Sequence, residues 1–431
     1  MNVITEVVSR GLCTSCGTCA GACPRKAIEM RVSEPEAVYL PSINEGECSD
    51  CGLCVRVCPG HFLDMRELND AVFGRQPEDR LVGNYLECYV AHSNDGGIRF
   101  NSASGGIGSQ MLIFALEKGV IDGALVVRMR KDKPLMPEPF VARSKEEILS
   151  ASKSKYCPVP ANEALATIRA ENGRFAVVGL PCHIHGIRKA ERLDPKLKGK
   201  IVMHVCLMCS HIANFKGTEL VLKKLRVSVD KVRELSYRGN GWPGTMTAKL
   251  KDGSSASIPL VGSWNSYWPV FSSFLFTPKR CTMCPDQAGE LADVSLGDAW
   301  LPEFRGDRIG KSLIVSRTRF ADDLLLNMAS AGVISLQKVG VEKVRQSQAL
   351  NLKFKKLDLG TRLAMLSLMG RPVPRFLPGN TERSFMGFLR GLYIYSSIEM
   401  SANRRIASFL SHLPFPLFRA YFGVYKTLSR A

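Results

Sequence analysis

The chain has 431 residues, 45% hydrophobic and 23% charged, with 58 Lys and Arg against 40 Asp and Glu. That composition is globular and excludes a disordered, collagen-like or coiled-coil chain, and a chain beyond about 250–300 residues divides into more than one core. No uncharged apolar run of about 18 residues exists to span a bilayer, so the net charge of +18 points to nucleic acid, an anionic membrane surface or phosphate-bearing cofactors.

The first residues show no basic stretch followed by an apolar run, so no secretory signal is expected and a reducing, cytoplasmic setting follows. In that setting fifteen cysteines, odd in number and too sparse for a disulfide scaffold, suggest metal or redox work. Cys13, Cys16, Cys19 and Cys23 recur as Cys48, Cys51, Cys54 and Cys58, displaced by 35 residues, each run reading C-x2-C-x2-C-x3-C-P. Steps of three let three thiolates reach one 4Fe–4S cube from a single loop, and the fourth cysteine, before proline, ligates the other cube. This predicts one cluster on Cys13, Cys16, Cys19 and Cys58, and a second on Cys48, Cys51, Cys54 and Cys23. Zinc prefers paired C-x2-C knuckles with longer gaps. Residues 1–66 then form one small module whose few apolar residues, among them Val7, Ile28, Val38 and Phe62, need bound clusters for cohesion. This module is net acidic, with five basic and seven acidic residues in 1–60.

Beyond a polar link at 74–79 the pattern alternates. Strands are expected at 87–92, 123–129, 175–179 and 201–205, with helices at 111–118 and near 163–170. Residues 232–261 read as a β-meander with a Lys-Asp-Gly turn. The alternation argues for an α/β body with a parallel or mixed sheet. From 371 onward the chain is Pro-punctuated, aromatic and basic, with nine basic and two acidic residues.

Seven cysteines remain. Cys88 and Cys157 read as small buried hydrophobes. Cys182 follows one strand, Cys206 and Cys209 another, and Cys281 and Cys284 form a C-x2-C. Strand ends converge on one edge of an α/β sheet, which leaves a third cluster, a zinc site and buried thiols all open. The Gly- and Ser-rich loop 101–108 precedes a helix and suits either a phosphate cradle or a plain N-cap. The run Ser154-Lys155-Tyr156 could be a solvated turn. His183 and His185 read as packing or hydrogen-bonding residues.

Taken in order, these segments resemble a known family. SASGG (102–106) with the later GVIDGALVV, SKSKY (152–156), VVGLPCHIHGI (177–187), CSHIANFKGTELVLKKL (209–225), YRGNGWPG (237–244) and CTMCPDQAGELADVSLGDAW (281–300) are similar to the beta-subunit family of coenzyme F420-reducing hydrogenases and dehydrogenases. The version resembled carries a fused N-terminal two-cluster ferredoxin; plant chlorophyll-cycle hydroxymethyl reductases look like relatives. The resemblance spans roughly residues 10–320. It implies an α/β, mixed-sheet flavin-binding body at 67–370, an N-terminal α+β bacterial-type 2x 4Fe–4S ferredoxin domain at 1–66, and an unmatched basic extension at 371–431.

It further implies non-covalent FAD, with Ser102, Ser104, Gly105, Gly106, Ser154, Lys155 and Tyr156 among its contacts. A third 4Fe–4S cluster would sit on Cys182, Cys281, Cys284 and Cys209, the last fitting better than its alternate Cys206. The implied activity is electron passage between a one-electron donor or acceptor and a two-electron substrate at FAD, either deazaflavin F420 or a biosynthetic metabolite. The alternative is an electron-transfer subunit serving a partner enzyme, with no small-molecule chemistry of its own. A redox partner protein and a homo-oligomer are both compatible with this reading. Nucleic acid is not expected, because no reading module accompanies the charge. The extension either packs on the body or a second subunit, or lies peripherally on the inner face of the membrane.

Overall fold

A computed structural model describes residues 3–379 and 382–430. In the N-terminal module, β1 (Ile28–Ser33) and β2 (Val38–Ile43) pair antiparallel, and β3 (Phe62–Asp64) follows the second cysteine run. The sequence repeat extends to the backbone. Ser15 and Asp50 both have positive φ, 57° and 48°, and Gly17 and Gly52 follow at 81° and 68°. These left-handed residues turn each cysteine loop into a short helix, Thr18–Gly21 and Leu53–Arg56.

The module shares its core with the body, as its scarce apolar residues require. Ile4, Val7 and Leu12 join Phe215 and Leu220, while Ala22, Leu53, Val57 and Leu63 join Leu165, Ile184 and Ile187. Contact is close enough to need glycine: a Cβ on Gly21 would lie 1.9 Å from the Asn162 carbonyl oxygen, and one on Gly186 would lie 2.1 Å from Thr18 Oγ1. Asn162 ties both sides, its backbone N–H donating to Cys16 O and its Nδ2 to Thr18 Oγ1 and His183 O.

The body is built on β4 (Glu87–Ser93), β5 (Gly123–Met129), β6 (Pro137–Ala142), β7 (Phe175–Gly179) and β8 (Ile201–Leu207), then β9 (Val232–Ser236), β10 (Thr245–Leu250), β11 (Ser255–Pro259), β12 (Val294–Asp298), β13 (Ser312–Ser316) and β14 (Ile334–Val339). Eight of these form one sheet in the order β14-β4-β13-β12-β8-β7-β5-β6, and β9–β11 form the expected meander. The run β12-β8-β7-β5 is parallel, and β13, β14 and β6 are antiparallel to their neighbours. Since β4 and β12 both oppose β13, the C-terminal ends of β4, β5, β7, β8 and β12 share one edge.

Apolar side chains alternate across the sheet. Ala124, Val126, Ala176 and Met203 face the helices Ile107–Glu117 and Arg319–Ser330, while Leu125, Phe175 and Val177 face the helix Pro181–Leu193 and the N-terminal module. The edge strand β6 escapes sequence reading because Pro137 and Pro139 signal a loop; at a sheet edge prolines are tolerated. The helix expected near 163–170 begins as a 3-10 turn over Ala161–Ala164, where Glu163 accepts from Met30 N–H of the module.

The C-terminal segment packs on the body as helices Phe385–Ala402, Arg404–His412 and Phe415–Arg430, with β15 (Arg375–Leu377) pairing parallel to β3. Its anchor is a buried bidentate pair, Arg390 to Asp358 at 2.8 Å through both nitrogens. Among the described residues no helix is long and apolar enough to cross a membrane.

Candidate functional site

The eight cysteines of the module fall into two sets. Burial pushes the Cys13 thiol up, with Cys58 and Cys16 adding to it as like charges. Cys19 is raised well above the usual thiol value, by burial first and then by Cys13, Cys16 and Cys58, with Cys54 weaker. Around Cys54, by contrast, burial acts together with Cys51, Cys23 and Cys48. Each run's fourth cysteine therefore lies near the other run, Cys58 near Cys13 and Cys19 and Cys23 near Cys54. Cys51 is exposed, whereas Cys16, Cys19, Cys54 and Cys58 are buried.

A cavity of about 610 Å³ lies between module and body, and Cys13, Cys182, Cys209, Cys281 and Cys284 all line it. Cys182 stands in the first turn of the helix Pro181–Leu193 that follows β7, Cys209 just past β8, and Cys281 and Cys284 in the 3-10 turn Lys279–Met283 and the residue after it. Burial drives the Cys182 thiol far up, and Cys16, Cys284, Cys209 and Cys281 add to it in that order. Cys209 is pushed up to about 12 by burial, against the pull of Lys355. Among the described residues no three His, Cys, Asp or Glu side chains gather as a single-ion site; the thiols surround the cavity. Cys206 is buried in β8, where a Cβ on Gly289 would come within 2.4 Å of its Sγ, and it does not line the cavity. Cys88 and Cys157 are buried thiols, as read from sequence.

Cations surround the same space. Arg280 donates through Nε to Leu12 O and through Nη2 to Pro59 O. Arg362 donates to Thr282 O and Phe354 O, both at 2.8 Å, and Lys355 Nζ to Cys281 O at 2.7 Å. All three are buried, and Arg280 and Arg362 each keep an unpartnered Nη1. Clustered thiols beside buried guanidiniums that hydrogen-bond only neutral carbonyls are a donor set that suits an anionic iron–sulfur cluster. In the sequence Arg280 is marked only by standing next to Cys281, and nothing flags Arg362.

His183 and His185 play structural parts. His183 Nδ1 accepts from Leu180 N–H and Nε2 donates to Val159 O, the neutral tautomer that burial enforces by lowering its value to about 4. His185 Nε2 pairs with Asp286 at 3.0 Å.

The candidate flavin contacts divide differently. Ser102 Oγ donates to Ile98 O, Ser104 Oγ pairs with Ser312 Oγ, and Gly105 N–H donates to Ser312 Oγ. A Cβ on Gly105 would lie 2.5 Å from Ala91 O. Gly106, at φ 81°, opens the helix Ile107–Glu117, which has no side-chain cap. Lys155 Nζ is occupied by the carbonyls of Ala151, Ser152 and Lys153 at 2.5–2.9 Å. Ser154 hydrogen-bonds Tyr156, whose ring stacks on Tyr267 at 5.8 Å.

The loop between β9 and β10 joins the two segments: Gly241 N–H donates to Phe100 O, and Gly239 abuts Lys153. There Arg238 grips Asp298 through two nitrogens at 2.8 and 2.9 Å, and Trp242 Nε1 donates to the same carboxylate at 2.7 Å. Trp242 and Trp300 lie 4.6 Å apart. An uncapped helix start suits a phosphate and the aromatic wall suits a flat ring, so the residues fit a flavin nucleotide, with Lys155 as a loop brace.

Comparison with known proteins matches residues 88–166 and 172–342 to the N-terminal and C-terminal parts of the "coenzyme F420 hydrogenase/dehydrogenase, beta subunit" family, together more than half of the chain. Residues 12–62 match the "4Fe-4S dicluster domain". The beta subunits of coenzyme F420 hydrogenase from Methanosarcina barkeri and Methanothermobacter thermautotrophicus are 26% and 28% identical, over 63% and 68% of this chain and 92% and 99% of theirs. A coenzyme F420-dependent sulfite reductase from Methanocaldococcus jannaschii is 26% identical over 81% of this chain and 51% of its own. Among solved structures, a chain of the F420-reducing [NiFe] hydrogenase complex of Methanosarcina barkeri shares the fold, with TM-score 0.52 and 23% identity over 67% of this chain and 96% of that one.

Proposed function

From its membership of the coenzyme F420 hydrogenase/dehydrogenase beta-subunit family, with a 4Fe–4S dicluster domain at the N-terminal side, we propose that this iron–sulfur oxidoreductase passes electrons between a one-electron partner and a two-electron substrate at FAD. Cys13, Cys16, Cys19 and Cys58 would hold one 4Fe–4S cluster, and Cys48, Cys51, Cys54 and Cys23 a second. Cys182, Cys209, Cys281 and Cys284 would hold a third. FAD would place its phosphates at the start of the helix Ile107–Glu117, beside Ser102–Gly106, and its ring toward the aromatic side chains near Tyr156. Bound there, the clusters supply one-electron exchange and the flavin links it to two-electron chemistry.

This chain's residues do the rest. Exposed Cys51 brings the outer set to the surface, where a redox partner protein can approach. Buried Cys16 and Cys182 bring the other two sets side by side. The helix Phe385–Ala402 closes the cavity with Ile394, Tyr395 and Ile398 and limits water. The observation that carries the reading is the meeting of four cysteines from three separate segments at one cavity. Anaerobic iron analysis tests it: Cys182→Ser and Cys281→Ser should each lose about four of about twelve irons while the chain stays folded.

The substrate is deazaflavin F420 or a biosynthetic metabolite. A second reading, an electron-transfer subunit for a partner enzyme, is favoured by the relatives that are hydrogenase subunits. Steady turnover of a small molecule by the isolated chain would exclude it. The exposed basic residues Arg404, Arg405 and Arg419, near exposed Phe409 and Leu417, favour an anionic membrane surface as a further contact of the extension.

A further inference from the structure

Three buried cations, Arg280, Lys355 and Arg362, and one buried carboxylate, Asp286, line the inner cavity, and the carboxylate already pairs with His185. Arg280 is 5% exposed and Arg362 2%. Each donates to backbone carbonyls, neutral acceptors that leave its charge unmatched, and each has Nη1 without a partner. Asp358, whose charge reaches Arg362, is itself gripped by Arg390. Lys355 adds a third buried cation at the Cys281 carbonyl. A buried guanidinium that meets only neutral acceptors is costly, and an anion beside it offsets that cost.

Position sharpens the point. Arg280 adjoins Cys281 and reaches back to the carbonyls of Leu12 and Pro59, the neighbours of Cys13 and Cys58. It therefore stands between two cysteine sets. Arg362 lies beyond the residues matched to the family and is covered by the helix Phe385–Ala402, whose Gly391 would place a Cβ 3.7 Å from Arg362 Cγ. The outer set differs in setting: exposed Cys51 neighbours Asp50, and Glu45 and Glu47 precede it.

A four-iron cluster on four thiolates gains one negative charge on reduction, and burial alone makes that gain costly. We propose that Arg280 and Arg362 set the reduction potential of the inner cluster, holding it high enough to take electrons from the two ferredoxin clusters. One electron moves inward, no bond is made, and the added charge is met by the guanidiniums without a proton. The proposal rests on the third cluster assigned above.

The test is an EPR-monitored redox titration of the anaerobically purified full chain, with iron counted on the same samples. Wild type should hold about twelve irons and show three titrating components. In Arg362→Gln one component should fall in potential while the other two stay; in Arg362→Lys, which keeps the charge, it should return toward wild type. Arg280→Gln should lower two components, the inner cluster and its neighbour. Full iron with unmoved potentials in both Gln variants overturns the proposal and leaves the third cluster standing. About eight irons in wild type overturns the third cluster and the proposal with it. Should Arg362→Gln lose its inner irons, Arg280→Gln decides; loss of inner irons from both means a purely structural role and overturns the proposal.

Discussion

Cys206 and Cys209 stand three residues apart at the end of β8, and their surroundings separate them. Cys206 is sealed beneath Gly289, whereas Cys209 lines the cavity with Cys182, Cys281 and Cys284. Cys209→Ala should therefore cost about four irons and Cys206→Ala none, read by iron analysis of both variants. Gly289, at φ +70°, has Cys206 Sγ where a Cβ would go, so Gly289→Ala should destabilise the fold by about 1–3 kcal/mol in chemical denaturation.

A buried charge cluster between β8 and the helix Pro181–Leu193 makes a pH prediction. His204 lies between Asp293 at 2.9 Å and Glu191 at 3.0 Å. Burial and Arg188 oppose its charge, but the two carboxylates outweigh them and raise its pKa. Despite burial, His204 and Arg188 hold Asp293 down to about 2. The histidine's contribution is fully present below its unfolded value of about 6.5 and is lost as pH rises through the raised folded value. The Asp293 contribution is present above the unfolded carboxylate value and is lost as pH falls through about 2. His204→Gln should cost about 3 kcal/mol at about pH 6 and less at about pH 9. An equal loss at both would contradict the assignment.

At the scale of elements, two joints hold the cavity. The helix Thr18–Gly21 meets Asn162 through Gly21, where a methyl has no room. Gly21→Ala should cost about 1–3 kcal/mol and speed proteolysis of the 74–79 link. The second joint is Arg390 with Asp358, both 3% exposed at the side chain. Arg390→Ala leaves a buried carboxylate without its partner, at a cost of about 3–5 kcal/mol, and should hasten loss of inner-set iron in air.

The strands β5, β7 and β8 were legible because short apolar runs bounded by turns have few alternatives, and the cysteine runs because their spacing has one chemistry. The joints were not legible. Gly21, Thr18, Asn162 and Gly186 are unremarkable one by one and acquire meaning only when distant segments meet. The aromatic, basic extension was compatible with packing and, less strongly, with lipid, and burial of Arg390, Tyr393, Ile394 and Tyr425 shows that much of it packs on the body. Arg362 follows Thr282 by 80 residues, a distance no local pattern reports.

Across the whole molecule, charge and exposure are graded. The module is net acidic and offers Cys51 to solvent, while the innermost cysteines are buried among Arg280, Lys355 and Arg362. The shared sheet edge brings the ends of β7 and β8 to the cavity and the ends of β4 and β12 to the Ser102–Gly106 loop and Asp298. One sheet thus carries both the cysteine cavity and the candidate flavin site. The most direct test of that arrangement is to purify the chain without oxygen and quantify iron, acid-labile sulfide and flavin on one sample. About twelve irons, matching sulfide and one FAD per chain are the predicted result; about eight irons with no flavin would contradict it, leaving a two-cluster ferredoxin module on a body without its own redox centres.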